Sequence, residues 1–212
     1  MMNKKHRYWD KQAAKSARLS LIMAKQFNEC KNLIIYHLEP SSHLADLGCG
    51  IGYIAYELSD FVDSIHAIDY SEAMISMAKA RKRSPEHDHI HLEIGNIEHT
   101  SIKENSKEAC LLCHILNYHQ NPEIVLLESK RIVKPNGIII SNTCCHGSIR
   151  SFRGFLNWIG IYLKKLLNTS KHYKVYTFKS LRKELEASGM VIIAEKKLRI
   201  KGNSVLFTIL KT

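Results

Sequence analysis

The stretch Asp46-Leu47-Gly48-Cys49-Gly50-Ile51-Gly52 places three glycines within five positions, directly after the apolar run His43–Leu47 and before an amphipathic segment. Glycines spaced this way let the backbone turn tightly and come close to a neighbour. The segment therefore reads as strand, tight turn, helix. The same unit recurs: short apolar runs at Ile65–Asp69, Ile90–Ile94, Cys110–His114 and Gly137–Ser141 alternate with amphipathic stretches near 51–59, 71–81 and 121–132. Strand and helix in alternation predict an α/β fold, a parallel sheet with helices on both faces. Ile132-Val133 is left out of the strands, because Lys134-Pro135-Asn136-Gly137 closes the preceding helix with turn residues and opens the fifth strand.

Both ends depart from the alternation. From Tyr8 to about His37 the chain is rich in Ala, Leu, Met, Lys and Gln, a helical composition that stops before Pro40. Thr177–Gly189 reads as a helix, and Val191–Ile200 and Ser204–Leu210 as two strands joined by Lys201-Gly202-Asn203. So short a link makes an antiparallel hairpin. At 212 residues the chain suits one domain, divided into a helical cap (1–38), a core (39–143), an insert (144–175) and a final helix and hairpin (176–212).

The net charge of +11 is unevenly placed. Residues 1–31 carry +6, 32–143 carry −6, 144–175 carry +6 and 176–212 carry +5. An acidic middle is flanked by basic segments, which attract anionic substrates, membrane surfaces or nucleic acid. Lys11, Lys15 and Arg18 stand where a secretory signal needs an apolar core, and the charge-free apolar stretch Gly154–Leu163 is too short to span a bilayer. Six scattered cysteines fit free thiols, and a cytoplasmic location is expected.

Asp69 ends the second strand 17 residues beyond Gly52, placed to accept hydrogen bonds from ribose hydroxyls. With the Gly-rich turn it describes a site for a nucleoside-bearing cofactor. A dinucleotide fingerprint needs a third glycine where this chain has Tyr53; here the spacing is G-x-G-x-G after Asp46. That pattern resembles the first motif of the class I S-adenosylmethionine (SAM) dependent methyltransferases. Gly95-Asn96-Ile97-Glu98 resembles the family's adenine-contacting turn, with Asn96 where Asp is usual. Leu116-Asn117-Tyr118-His119-Gln120-Asn121-Pro122 resembles its loop after the fourth strand, and Arg131-Ile132-Val133-Lys134-Pro135-Asn136-Gly137 its L-K-P-G-G turn, with Asn136 for the first glycine. Tyr8-Trp9-Asp10-Lys11-Gln12-Ala13 is similar to the cap opening of the small-molecule, type 11 branch.

The resemblance implies a doubly wound Rossmann-like sheet of order 3-2-1-4-5-7-6, with S-adenosyl-L-methionine as cofactor. Asp46 and Gly48 would meet its methionine end, where Tyr8 is a candidate lid contact. Asp69 would meet the ribose, and Asn96 and Ile97 the adenine. Cys49, Gly50, Tyr70, Met74 and Cys113 complete the implied cofactor contacts. Methyl transfer needs alignment and exclusion of water, and a proton acceptor only for a hydroxyl or ammonium nucleophile. His114, Tyr118, His119 and His146, expected at the ends of the fourth and fifth strands, are the candidates.

Cys110-x-x-Cys113-His114 and Cys144-Cys145-His146 raise a zinc hypothesis. Packing is the favoured reading, because Cys110 and Cys113 fall on opposite faces of a strand, and no metal is expected in the reaction. In the insert, Phe152, Phe155, Ile159, Leu163 and Leu166 share a helical face that Leu156, Trp158, Ile161, Tyr162 and Leu167 widen. It is a core helix, a lid over an apolar substrate, a dimer face or a membrane-surface helix. The leading expectation is a metal-independent methyltransferase acting on a small, partly apolar or acidic molecule, which the basic cap and insert would meet at their side of the cofactor or hold at an anionic membrane surface. An RNA methyltransferase is weighed against it and disfavoured, because the Asn/Asp-Pro-Pro-aromatic motif is replaced by Asn117-Tyr118-His119-Gln120. A non-catalytic SAM-binding or partner-binding protein is the alternative from another class. Oligomeric state is left open.

Overall fold

The computed structural model describes residues 9–11, 13, 28–82, 85–119, 121–146, 159, 173–200 and 203–211. Seven strands form one sheet: β1 (His43–Leu47), β2 (Ser64–Asp69), β3 (Ile90–Ile94), β4 (Lys107–Cys113), β5 (Val133–Cys145), β6 (Val191–Ile200) and β7 (Asn203–Lys211). Their order is 3-2-1-4-5-7-6, and β7 runs antiparallel to both its neighbours while the rest are parallel. The helices are α1 (28–36), α2 (Tyr53–Leu58), α3 (Glu72–Lys79), α4 (Pro122–Ile132) and α5 (Phe178–Ala187).

Alternation along each strand divides the core in two. Ala45, Leu47, Ile68, Cys110 and Leu112 pack with Val125 and Leu126 of α4 and Leu181 and Leu185 of α5. Leu44, Ile65, Ala109 and Leu111 pack on the other side with Cys30 and Ile34 of α1 and Ala55 and Leu58 of α2. The sheet is therefore doubly wound, as expected. No described helix is long and apolar enough to cross a membrane.

β4 runs Lys107–Cys113 rather than Cys110–His114 and β5 continues to Cys145 rather than Ser141, and two further boundaries differ from the sequence reading. β5 starts at Val133, which pairs with Lys107 before the register jumps to Ala109↔Ile138. Lys134–Gly137 is thus a bulge inside a strand that had already begun. Asn136 adopts φ 66°, the left-handed conformation that asparagine tolerates better than other non-glycine residues, which explains why it can stand where the family turn has glycine. Gly137 has no such latitude, because a Cβ there would lie 2.5 Å from Val133 Cγ1 and 2.7 Å from the Glu108 carbonyl. Second, α2 begins at Tyr53 rather than 51, since Gly52 itself is left-handed at φ 70°.

Candidate cofactor and acceptor site

The carboxyl ends of β1 and β2 carry the Gly-rich turn and Asp69. The turn's own N–H groups are spent on the protein: Gly48 and Cys49 donate to the Ile68 carbonyl at 2.7 and 3.0 Å, and Gly50 donates to Asp69 Oδ2 at 2.9 Å. These three amides are therefore not held out to a ligand. What remains is space and negative charge. Among the described residues a Cβ on Gly50 would meet only Met74 Sδ at 4.0 Å, so they leave the surface above it open. At Gly48 the missing side chain makes room for protein instead, with Ile115 Cδ1 2.1 Å from where a Cβ would be.

Asp46 is 1% exposed and its Oδ2 has no hydrogen-bond partner. Burial first, and the nearby Asp69 second, raise its carboxyl from 3.8 to about 7. Asp69 is also raised by burial, although the N–H groups of Ser71 (2.9 Å) and Gly50 oppose the shift. Two buried acids beside an open glycine form a well that favours a cation with hydroxyl donors. The α-ammonium, sulfonium and ribose of SAM supply those groups, so the residues fit the cofactor that the sequence pattern implied.

The well has a cap. Ser71 Oγ accepts from Met74 N–H at 3.2 Å, capping α3, and donates to Asp10 Oδ1 at 2.5 Å. Trp9, Ala13, Ile51, Tyr53 and Met74 pack together over this corner. Met74 is 3% exposed and borders Gly50, while Tyr70 is half-buried beside Asp69. Tyr8 lies outside the described residues. Beyond β3, Asn96 Oδ1 accepts from Glu98 N–H at 3.0 Å, so the side-chain oxygen shapes the turn. Ile97 is 5% exposed, with its side chain in the core.

The ends of β4 and β5 hold a different set. His114 is half-buried at φ 57°, its Nδ1 3.5 Å from Cys144 Sγ and its buried Nε2 without a partner among the described residues. Burial lowers its imidazole to about 4 and raises Cys144 to about 11, so both are neutral near pH 7. Tyr118 stacks edge-on against Trp9 (4.8 Å) and Tyr173 (5.3 Å), and His146 Nε2 lies 3.3 Å from the Tyr173 hydroxyl. His119 faces elsewhere, pairing with Glu98 at 3.2 Å. The structure thus gathers Tyr118 and His146 into one aromatic wall, sets His114 against Cys144 and pairs His119 with Glu98 in the turn after β3.

Asn117 organises this wall and was not singled out from the sequence. It is 1% exposed; its Nδ2 donates to the Cys144 and Lys174 carbonyls at 3.1 and 3.0 Å, its Oδ1 accepts from Cys144 N–H, and its backbone carbonyl accepts from Lys174 N–H. One side chain ties the loop after β4 to β5 and to the chain leaving the insert. Its place in the motif Leu116–Pro122 was the available signal. The cysteines behave as packing residues: Cys110 and Cys145 join the α4–α5 core, Cys113 and Cys144 lie against the opposite one. Burial drives Cys49 and Cys113 well above the usual thiol range. The insert helix lies outside the described residues except Ile159, which is helical and 40% exposed.

The Methyltransferase domain family model matches residues 45–141. Demethylmenaquinone methyltransferase of Chlamydia felis is 28% identical over 82% of this chain and 78% of its own length. Malonyl-[acyl-carrier protein] O-methyltransferase of Serratia marcescens is 26% identical over 52% of this chain, which spans 42% of that relative. The solved SAM-dependent methyltransferase of Methanosarcina mazei superposes with a TM-score of 0.69 at 19% identity, over 85% of this chain and 96% of that one, a likeness of fold. The chain carries a Methyltransferase domain match over residues 45–141 and is similar to the class I SAM-dependent methyltransferases of the type 11 branch, whose sheet order it shares.

Proposed function

We propose that this protein transfers a methyl group from SAM to a small, partly apolar acceptor that rests against the Trp9–Tyr118–Tyr173 wall. The observation that carries the reading is the buried Asp46–Asp69 pair beside the open face of Gly50, an arrangement stable with a cationic ligand and costly without one. SAM supplies the methyl on a sulfonium, a leaving group that needs no further activation. The chain's part is to hold and to exclude. Asp46 balances the ammonium, Asp69 accepts from the ribose hydroxyls while Gly50 and Ser71 hold its carboxylate in place, and the Asn96–Ile97 backbone borders the adenine. The Asp10–Ser71 hydrogen bond and Trp9 close the cap over the corner and keep water out.

On the acceptor side, His114, neutral with an unpartnered Nε2, orients a donor group by accepting a hydrogen bond; at about 4 it is too weak a base to retain a proton near neutrality. His146, paired with Tyr173, is the proton acceptor where the nucleophile is a hydroxyl. The relatives that act on demethylmenaquinone and on a malonyl-acyl carrier protein support a flat or carboxylated acceptor. Lys174 spends its charge on Glu184 at 2.6 Å, so recognition of an acid falls to the insert's other basic residues.

Calorimetry with SAM, followed by tritium transfer from labelled SAM to a panel of quinols, acyl carboxylates and phenols, tests the proposal. Micromolar binding together with turnover of one class is expected. Absence of SAM binding overturns the reading, and tight binding without turnover on any acceptor favours a non-catalytic role.

A further inference from the structure

Away from the cofactor edge, the parallel pairing of β2 and β3 aligns His66 with His91 and Ile68 with Glu93. Because side chains two residues apart share a face, His66, His91 and Glu93 emerge together on the outer part of the sheet. His66 Nε2 lies 2.7 Å and His91 Nε2 3.9 Å from the same oxygen, Glu93 Oε2, and the two imidazoles meet edge-on with centroids 4.6 Å apart. One donor atom from each residue falls within 4.8 Å of the other two.

We propose that His66, His91 and Glu93 form a binding site for a borderline divalent transition-metal ion such as Zn2+, with a water completing the coordination. Two imidazoles and one carboxylate are the donor set such ions select over Mg2+ and Ca2+. Donors around a tetrahedral Zn2+ with bonds of about 2.0–2.1 Å lie roughly 3.3 Å apart, close to the spacing found here. The adjustment falls to His91, whose side chain is 68% exposed and free to rotate, while His66 and Glu93 are held at 18% and 27% exposure. Ser101 Oγ donates to both Glu93 oxygens at 2.9 and 2.7 Å, the kind of outer hydrogen bond that orients a ligating carboxylate.

Burial lowers the His66 imidazole, against the opposing hydrogen bond with Glu93. Burial alone would raise Glu93, but the hydrogen bonds from Ser101 and His66 outweigh it and keep the carboxylate ionised. Lys107 is the opposing charge near His66, and burial lowers its ammonium. The site sits on β2 three residues before Asp69, on the face of the sheet rather than at its carboxyl edge, so its role is to staple the edge strand β3 to β2.

The test uses the full chain, stripped with a chelator, kept reduced and titrated with Co2+ and then Zn2+. One equivalent of Co2+ should give visible ligand-field absorption without a thiolate charge-transfer band, and Zn2+ should displace it. His91→Ala and Glu93→Gln should each weaken binding at least tenfold and abolish the metal-dependent rise in Tm, while His99→Ala and Cys144→Ser leave both unchanged. No stoichiometric binding, equal binding by His91→Ala, or a thiolate band overturns the proposal.

Discussion

The two halves of the sheet's carboxyl edge handle charge in opposite ways. At β1–β2, Asp46 and Asp69 are buried close together, and Asp46 Oδ2 is left without a partner. At β4–β5 the half-buried groups are neutral: His114 is lowered to about 4, Cys144 raised to about 11, and burial pushes the Tyr173 hydroxyl far above its ordinary range. The first half holds an unpartnered acid oxygen that calls for a cation, whereas the second is an uncharged wall whose unpartnered His114 Nε2 calls for a neutral donor. A cationic cofactor and a neutral reacting group can therefore sit side by side without competing for the same counter-charge.

The largest effect should come from removing the first half's anchor. Asp69→Ala loses the carboxylate that receives Gly50 and Ser71 and would receive the ribose, at a cost of about 3 kcal/mol, or more than 100-fold in SAM affinity by calorimetry. Wild-type affinity in that variant would break the comparison at its strongest point.

Next in size is pH dependence. In the free protein Asp46 holds its proton up to about 7, while the unfolded chain releases it near 3.8, so the folded state binds more protons in that window and stability falls as pH rises through it. The cofactor's ammonium favours the ionised form. SAM affinity should therefore drop as pH falls below 7, by up to about tenfold per unit. Asp46→Asn should flatten both profiles, raise the thermal stability of the cofactor-free protein and weaken SAM binding.

A third prediction sharpens the contrast with a carboxylate that does have partners. Glu128 is 6% exposed and receives Thr100 N–H (2.8 Å), Thr100 Oγ1 (2.6 Å) and Arg131 (2.6 and 2.8 Å). Burial works against ionisation there, but Arg131 and Thr100 prevail and hold the carboxyl at about 2. The depressed value contributes stability above 4.5 that is lost as pH falls toward 2. Glu128→Gln should cost about 2 kcal/mol in urea unfolding at pH 7, with the discount that Arg131 is partly exposed, and that cost should shrink in acid. The smallest effect belongs to the neutral wall: Tyr173→Phe loses one hydrogen bond to His146, should raise acceptor KM about threefold to tenfold, and should leave SAM affinity unchanged.

The strands were legible because each is a short apolar run between turn residues, and His43–Leu47, Ile90–Ile94 and Val191–Ile200 fall where the pattern placed them. The start of β5 was not, because Pro135 and Asn136 signal a turn locally, and only pairing with Lys107 makes Val133 a strand residue. At the site, Asp46, Gly50 and Asp69 were visible as types at a spacing. The work of Asn117 was hidden, since its four bonds reach residues 27 and 57 positions away. His119 could not be separated from its neighbours by sequence, as only the folded loop turns it toward Glu98.

By itself the sequence determined the alternation of elements, the Gly-rich turn and the acid that follows the second strand, because these depend on local backbone freedom and on side-chain periodicity. Only the tertiary structure decided which groups keep their charge. Ionisation depends on what surrounds an atom once water is gone, and it is the packing of β1 against β2, and of the loop after β4 against β5, that leaves Asp46 in need of a cation and His114 uncharged.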